Sequence, residues 1–554
     1  MVRLPATLRS TAIVFALALL VRVLFLYATS DHVWPHSALY EGDAPVWVRW
    51  AQSLGRGEAF EFDLPMRTPA IAFALHWFVP GILAAAFTLL KLVWCMISAA
   101  TCAMLFVIVQ RELSTRIAWI ASMLLCFAFG SYELATSLNN EAPYAFLLVL
   151  LLGATVRWIE APRALLALAI GVLHAVAMLV RAEHALLIAA FLLYAALATR
   201  SWRAAGSLVL VPAMAVCVCL PWIWRSHAAA VRFNTIETTP IDFANADPPW
   251  TMEAQAVLSS LPAFARQGNF AFIQSVSKSS GKTRVDRVDV NGFFRDKFGY
   301  VPEALSTWTL ISSKGALDFA LANHPASDGG FSLAALQDGF DAQPEWSFGR
   351  PSHLRLYNHG YEVGWNWIRA DFRAWTRLVL KKFERFFDGV TLGWTAHDLP
   401  YGRSSKRAPV DLATPILGNQ VCAILIPAVI LAGMFLGWRR NLAALCLIVI
   451  ASKLIVTVAY YGYARQAVSI EPAWFLFAAI AIDALLSRLH CTERTASALG
   501  ITIIVALLSC EVHSFRGSHA FEIRPKHPEA RITRTPEWGP GAFETFDEIE
   551  LRPR

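Results

Sequence analysis

Long apolar runs separated by short polar joints dominate the chain. Runs of roughly fifteen to twenty residues recur at 11–28, 90–110, 117–135, 142–156, 164–180, 185–199, 207–224, 418–437, 442–460, 472–487 and 496–512. At 1.5 Å per helical residue, that length crosses about 30 Å of hydrocarbon. The pattern predicts an all-α polytopic membrane protein with about eleven transmembrane helices. Two hydrophilic pieces break the series, an α-rich loop domain at 226–415 and a tail at 513–554. Within the loop domain, near 366–388, Phe372, Trp375, Val379, Phe383 and Phe386 recur at helical spacing. Arg373, Arg377, Lys381, Lys382 and Arg385 share that helix. Such a helix suits a membrane surface, and it equally suits packing inside the outer domain.

Orientation follows from the arginines. With the N-terminus inside, Arg3, Arg9, Arg111, Arg116, Arg157, Arg163, Arg200, Arg203, Arg439, Arg440, Arg488 and Arg494 face the cytoplasm. The short outer connections hold only Arg181 and Arg465, and this asymmetry is the positive-inside pattern. The stretch Thr68–Leu89 is also apolar and long enough to span. Counting it would reverse every later element, so it is expected to lie along the membrane face, bent at Pro69 and Pro80. The first outer loop, 29–89, is then interfacial, with Trp34, Trp47, Trp50 and Trp77 at headgroup depth. The run Thr11–Ala28 carries Arg22 and is expected to stay as a signal-anchor helix. An odd span count puts the C-terminus outside. The domains expected are a transmembrane catalytic module at 1–225, the loop domain at 226–415, C-terminal helices at 416–512 and the outer tail at 513–554.

Composition agrees with this picture. Hydrophobic residues make up 56% and charged residues 16%, against about 45–50% and about 25% in soluble chains. The net charge of +7 is concentrated at span ends and does not point to nucleic acid. The nine cysteines lie in or beside apolar runs without metal-ligand spacing, and read as packing residues.

The informative residues are ionisable groups at or within the membrane boundary, where each is costly. Glu41, Asp43, Arg67, Lys91, Glu141, Arg181, Glu183, Arg225 and Arg465 all fall on the outer side. The cytoplasmic joints hold no acidic cluster. Chemistry is therefore expected on the outer face. Arg22 and Lys453 sit inside spans. Arg22 is expected to satisfy a buried carboxylate or carbonyl; the sequence suggests no role for Lys453.

The segment Glu41-Gly-Asp-Ala-Pro-Val-Trp-Val-Arg-Trp-Ala-Gln-Ser-Leu-Gly-Arg-Gly, followed by Arg67-Thr-Pro, resembles the first outer loop of C-type (GT-C) glycosyltransferases. The resemblance is to the protein mannosyltransferase and aminoarabinose transferase group, the glycosyltransferase family 39-like enzymes. Leu138-Asn-Asn-Glu-Ala-Pro-Tyr, Leu179-Val-Arg-Ala-Glu-His-Ala-Leu, Pro221-Trp-Ile-Trp-Arg and Tyr463-Ala-Arg-Gln-Ala follow in the family's order. Two positions depart from the pattern. Ala44 stands where those enzymes carry a second acidic residue, and Ser226 follows Arg225 where asparagine is usual.

The resemblance implies inverting transfer of a sugar from a polyprenyl-phosphate donor to an acceptor on the extracytoplasmic face. The acceptor would be a glycan, lipid or protein, and the place a bacterial inner (plasma) membrane. It casts Asp43 as general base and Glu141 as a second acidic residue. Arg67, Lys91 and Arg465 become holders of the donor phosphate, with Glu41, Arg181, Glu183 and Arg225 in support. No cofactor is implied; a divalent metal is left open, and nothing in the sequence indicates one. Structural roles stand beside each assignment. Asp43 could cap a helix beginning at Ala44 or Pro45, Glu141 could cap or flank a span, and Arg181 could simply pair with Glu183. Arg67 and Lys91 could snorkel to headgroups. A lipid-linked-sugar flippase and a non-catalytic glycolipid-binding envelope protein are the competing functions. A transporter should show related halves and charge near mid-membrane; here the charge collects at one boundary.

Overall fold

The computed structural model describes residues 6–28, Trp47, Trp50, Ala51 and Leu54 of the first loop, 66–77, 84–136, 138–199, 201–235, 305–337, 351–391 and 419–489. It also describes the backbone of strands at 241–244, 270–276, 283–289, 521–525 and 549–553. Glu41, Asp43, Trp34, Pro80 and the predicted span 496–512 lie outside the described residues.

The N-terminal bundle runs α1 (Ala6–Ala28), α2 (Ala70–His76), α3 (Ala84–Glu112), α4 (Thr115–Cys126), α5 (Phe129–Ala135), α6 (Glu141–Glu160), α7 (Ala164–Val180), α8 (Ala185–Thr199), α9 (Trp202–Ser207) and α10 (Leu210–Thr235). The hydrophilic piece expected outside supplies α11 (Gly315–Ala322), α12 (Pro351–Ala370) and α13 (Phe372–Thr391). The chain then returns through α14 (Asn419–Gly437), α15 (Asn441–Ala459), α16 (Ala464–Val468) and α17 (Glu471–Arg488). Among the described residues, six helices are long and apolar enough to cross a membrane, and three shorter apolar helices join them. The protein is an integral membrane protein with a helical fold.

The outer piece adds strands to the expected helices. β1 (Ile241–Ala244) pairs in parallel with β2 (Phe270–Val276), which pairs antiparallel with β3 (Thr283–Asp289). In the tail, β4 (Phe521–Pro525) pairs antiparallel with β5 (Ile549–Pro553).

Two apolar runs are not single helices. The run 117–135 breaks after Cys126, where Ala128 takes an extended backbone (φ −71°, ψ 115°). A carbonyl freed from a helix inside a membrane needs a partner. Arg22 of α1 supplies one, donating Nη1 to Cys126 O at 3.4 Å and to Ala18 O at 3.0 Å. Its Nε and Nη2 donate to Ser98 Oγ (2.7 Å) and Ser131 Oγ (2.9 Å). Arg22 thus satisfies carbonyls, as expected, and hydroxyls besides. The run 207–224 starts its main helix only at Leu210, and α10 continues to Thr235.

The ambiguous stretch 68–89 is not one continuous helix. α2 follows Pro69 and ends at Trp77, while Ala84–Leu89 already belongs to α3. In the first loop, Trp47 and Trp50 pack into the bundle core at 2% and 3% exposure, edge to face 5.4 Å apart. Trp77 is exposed.

The ends of the bundle differ in character. At one end Arg111 pairs with Glu160 and Arg116 with Asp483, partly exposed contacts between neighbouring helices. At the other end lie the starts of α6 and α8 and the joint between α15 and α17. There the charges are buried.

Candidate functional site

A single carbonyl gathers that second end. α7 stops at Val180, and its C=O accepts from Thr68 Oγ1 (2.8 Å) and Asn140 Nδ2 (3.2 Å). Three segments are thereby joined: the turn after Arg67, the turn before Glu141, and the chain entering Arg181. The middle turn is strained. Leu138 has φ +21°, an uncommon conformation for a residue with a branched side chain beyond Cβ. Glu141 is the first residue of α6, where the helix dipole favours a carboxylate.

Glu141 Oε1 accepts from Arg181 Nη1 at 3.1 Å and faces Arg465 Nε at 3.4 Å. Arg181 turns its Nε to Glu183 Oε1 at 2.7 Å, and Lys453 Nζ reaches the same oxygen at 3.0 Å. The side chains of Glu141 and Lys453 are 2% exposed, Arg181 7% and Arg465 11%. Among the described residues three cations here meet two carboxylates. Glu183 is the more open of the two, its side chain 25% exposed, and charges as deeply placed as the others need partners. An anion entering beside Arg465 would find charge-assisted donors already fixed in place.

Tyr144, one turn after Glu141, lies under two of these cations, with Arg181 at 5.5 Å and Lys453 at 5.0 Å from its ring centre. Its hydroxyl is 3.1 Å from His184 Nδ1, and His184 Nε2 is 2.9 Å from His174 Nδ1. This chain carries polar contacts from the network down into the middle of α7.

Arg465 owes its position to the outer helices. It lies on the short helix α16, over the Tyr463 ring at 5.8 Å. Helix α13 crosses α16 at Gly389, where an added Cβ would stand 2.0 Å from Ala464 O. At Gly462 an added Cβ would stand 1.9 Å from Lys382 O. Only hydrogen at both positions lets α13 press onto the segment that presents Arg465. Burial of Leu378, Phe386 and Val390 fixes the inner face of α13, while Phe372 and Leu380 remain exposed. Lys382 is wholly buried, donating to Asn323 Oδ1 (2.9 Å) and Val458 O (3.1 Å). That burial holds its pKa down at about 7.

The predicted residues therefore divide. Glu141, Arg181, Glu183 and Arg465 form one network, with Arg181 and Glu183 paired as the sequence suggested. Arg67 is half-buried on the turn that Thr68 ties to Val180. Lys91 is 2% exposed on α3, one turn before Trp94, whose Nε1 donates to Asn139 O at 2.7 Å. Arg225 on α10 lies over the Trp222 ring at 5.0 Å. Lys453, given no role above, belongs to the network. The His174–His184–Tyr144 chain was missed, its one signal a histidine inside an apolar run.

A helical membrane bundle with buried charge gathered at one end is the class these observations define. Residues 67–224 match the sequence model of the dolichyl-phosphate-mannose-protein mannosyltransferase family. The chain is similar to C-type glycosyltransferases over that stretch, which starts at Arg67 and takes in Lys91, Glu141, Arg181 and Glu183. No curated protein matches the chain. Among solved structures, the apo oligosaccharyltransferase of Archaeoglobus fulgidus aligns over 91% of this chain and 56% of its own, at 12% identity and TM-score 0.44. The same enzyme with Zn and sulfate aligns over 91% and 53%, at 12% identity and TM-score 0.42. The A. fulgidus enzyme AglB with an inhibitory peptide and a dolichol-phosphate aligns over 91% and 55%, at 13% identity and TM-score 0.42. The chain spans about half the length of these structures.

Proposed function

We propose that the protein is a glycosyltransferase that moves a sugar from a polyprenyl-phosphate donor to an acceptor on the extracytoplasmic face, with inversion. The observation that carries this reading is the buried network of Arg181, Lys453 and Arg465 against Glu141 and Glu183. The network lies at a bundle end, where a lipid headgroup would arrive with its chain still in the membrane. The family match over 67–224 supports it.

The chemistry needs two things of the protein. As the acceptor oxygen attacks the anomeric carbon, its proton must go to a base. As the bond from that carbon to the phosphate oxygen breaks, the phosphate gains a negative charge. Asp43 is the proposed base. Arg465, Arg67 and Lys91 are the proposed partners of the departing phosphate. Glu141 holds Arg465 and Arg181 in place, with Arg181, Glu183, Arg225 and Glu41 proposed as supporting residues.

Purified protein in vesicles with a radiolabelled polyprenyl-phosphate sugar and a membrane extract as acceptor source tests the reading. Label leaving the lipid supports transfer. Label changing sides while still on the lipid means a flippase, and binding with neither means a glycolipid-binding protein.

A further inference from the structure

Beneath the ion network the bundle encloses a small polar cavity that the proposed reaction does not use. Ser98 of α3, Ser131 of α5, Glu141 of α6 and Glu471 of α17 line it, with Leu134 and Val468. It leaves about 20 Å³ for the centre of a water molecule. One water needs roughly 10–15 Å³ measured that way.

The walls of this space are short of donors. Glu471 is 2% exposed, and among the described residues neither of its carboxyl oxygens has a hydrogen-bond partner. Glu141 spends Oε1 on two arginines, and among the described residues its Oε2 has no partner either. Buried acceptors left this way are costly. Donors stand opposite. Ser98 Oγ and Ser131 Oγ each accept from Arg22, at 2.7 and 2.9 Å, and lie 3.5 Å from one another. One hydroxyl hydrogen at most is used between them, so at least one remains to donate.

We propose that the cavity holds one ordered water, donating to Glu141 Oε2 and to Glu471 and accepting from the Ser98 or Ser131 hydroxyl. A water has one donor for each of the two carboxyl groups that line the space, and it takes the spare hydroxyl hydrogen as well. A metal cation fits the charges poorly. Arg22 stands behind the serines, and Arg181 and Arg465 already share Glu141. Among the described residues no group of three or more His, Cys, Asp and Glu gathers. Through this water Glu471 is a positioning residue. It fixes Glu141, and Glu141 fixes Arg181 and Arg465. That last consequence rests on the reading given under Proposed function; the water site does not.

Ala145, one turn after Glu141 on α6, also lines the cavity and allows the test. Ala145→Val puts two methyl groups where the water sits. In the full-length protein in detergent it should lower the melting temperature by about 2 °C or more. In a Glu471→Met background, where one of the two carboxyl groups that need the water is gone, the same substitution should cost less than half as much. A rise in melting temperature with Ala145→Val would mean a dry cavity, and an equal fall in both backgrounds would mean simple crowding. Either result overturns the proposal. So would a wild-type melting temperature that shifts when sodium or magnesium replaces choline at constant ionic strength, because the site would then hold a cation. In the transfer assay, Ala145→Val should raise the donor KM severalfold, with kcat changed less. A wild-type protein that transfers no sugar would sink the functional reading and leave the melting comparison intact.

Discussion

Arg181 is the residue on which the network turns, since among the described residues it alone pairs with both Glu141 and Glu183. Arg181→Met would take a cation from both, leaving Arg465 beside the buried Glu141 and Lys453 beside Glu183. Breaking one partner out of a buried ion pair costs ~3–5 kcal/mol. The variant should therefore yield little folded protein, and its melting temperature in detergent should fall by several degrees; an unchanged melting temperature would contradict the pairing. Asp43 is expected to behave in the opposite way. As a base, its replacement by Asn should cost ~10²–10⁴-fold in turnover while donor binding and yield stay normal. A mere helix cap would cost only ~0.5–2 kcal/mol of stability, and Asp43→Asn would keep most of its activity.

Residues were legible in the sequence to the degree that they broke a local rule. Arg465 and Arg181 stood out as outer arginines against the positive-inside trend. Lys453 stood out inside an apolar run, but its partner Glu183 lies 270 positions away, and no periodicity reports a contact at that distance. Glu471, just ahead of the run 472–487, drew no reading from the sequence. Its place among α3, α5 and α6 is what leaves its oxygens without a partner among the described residues.

At the scale of elements, helix α13 acts as a clamp on the segment carrying Arg465. Gly389→Ala would place a methyl against Ala464 O and push α13 off α16. The expected result is faster protease cleavage in the outer piece together with weaker donor binding; unaltered cleavage would mean that α13 does not hold this segment. The clamp should also respond to pH. Lys382 has its folded-state pKa lowered to about 7 by burial, against about 10.4 when exposed. Between those values the released lysine binds a proton that the docked one does not, so docking strengthens as pH rises through that window. Hydrogen exchange of α13 should slow from pH 7 to 9 after correction for the intrinsic rate. Lys382→Met should remove that trend, and a trend surviving the substitution would assign it elsewhere. The sequence showed α13 as amphipathic but left its partner open between membrane and protein. Hydrophobic spacing reports that a face is covered without saying by what. The break at Cys126 was hidden for a similar reason, because its carbonyl is satisfied by Arg22 from another helix.

For the whole molecule, the alternation of helices puts Glu160, Arg111, Arg116 and Asp483 at one end and the Glu141 network at the other. On the arginine bias the first end is expected to face the cytoplasm. A reporter active only outside the cytoplasm, fused within the 338–350 segment of the outer piece, should be active; silence there would invert the topology and put the site on the wrong face. This architecture was the part most legible in sequence, since run length and arginine placement are both local properties. The site was less so, because it is assembled from α6, the α7–α8 joint, α15 and α16. The network is proposed to hold the phosphate of a membrane-borne lipid. The most direct measurement compares binding of a polyprenyl phosphate with that of the uncharged polyprenol to purified wild-type protein and to Arg465→Ala. Hydrogen bonds to charged groups contribute about 1.5–3 kcal/mol, so the phosphate should bind wild type at least tenfold more tightly than the alcohol. Most of that difference should vanish in Arg465→Ala, with Arg465→Lys recovering only part because the planar fork is lost. Equal binding of the phosphate and the alcohol to wild type, or a preference untouched by Arg465→Ala, would contradict the account.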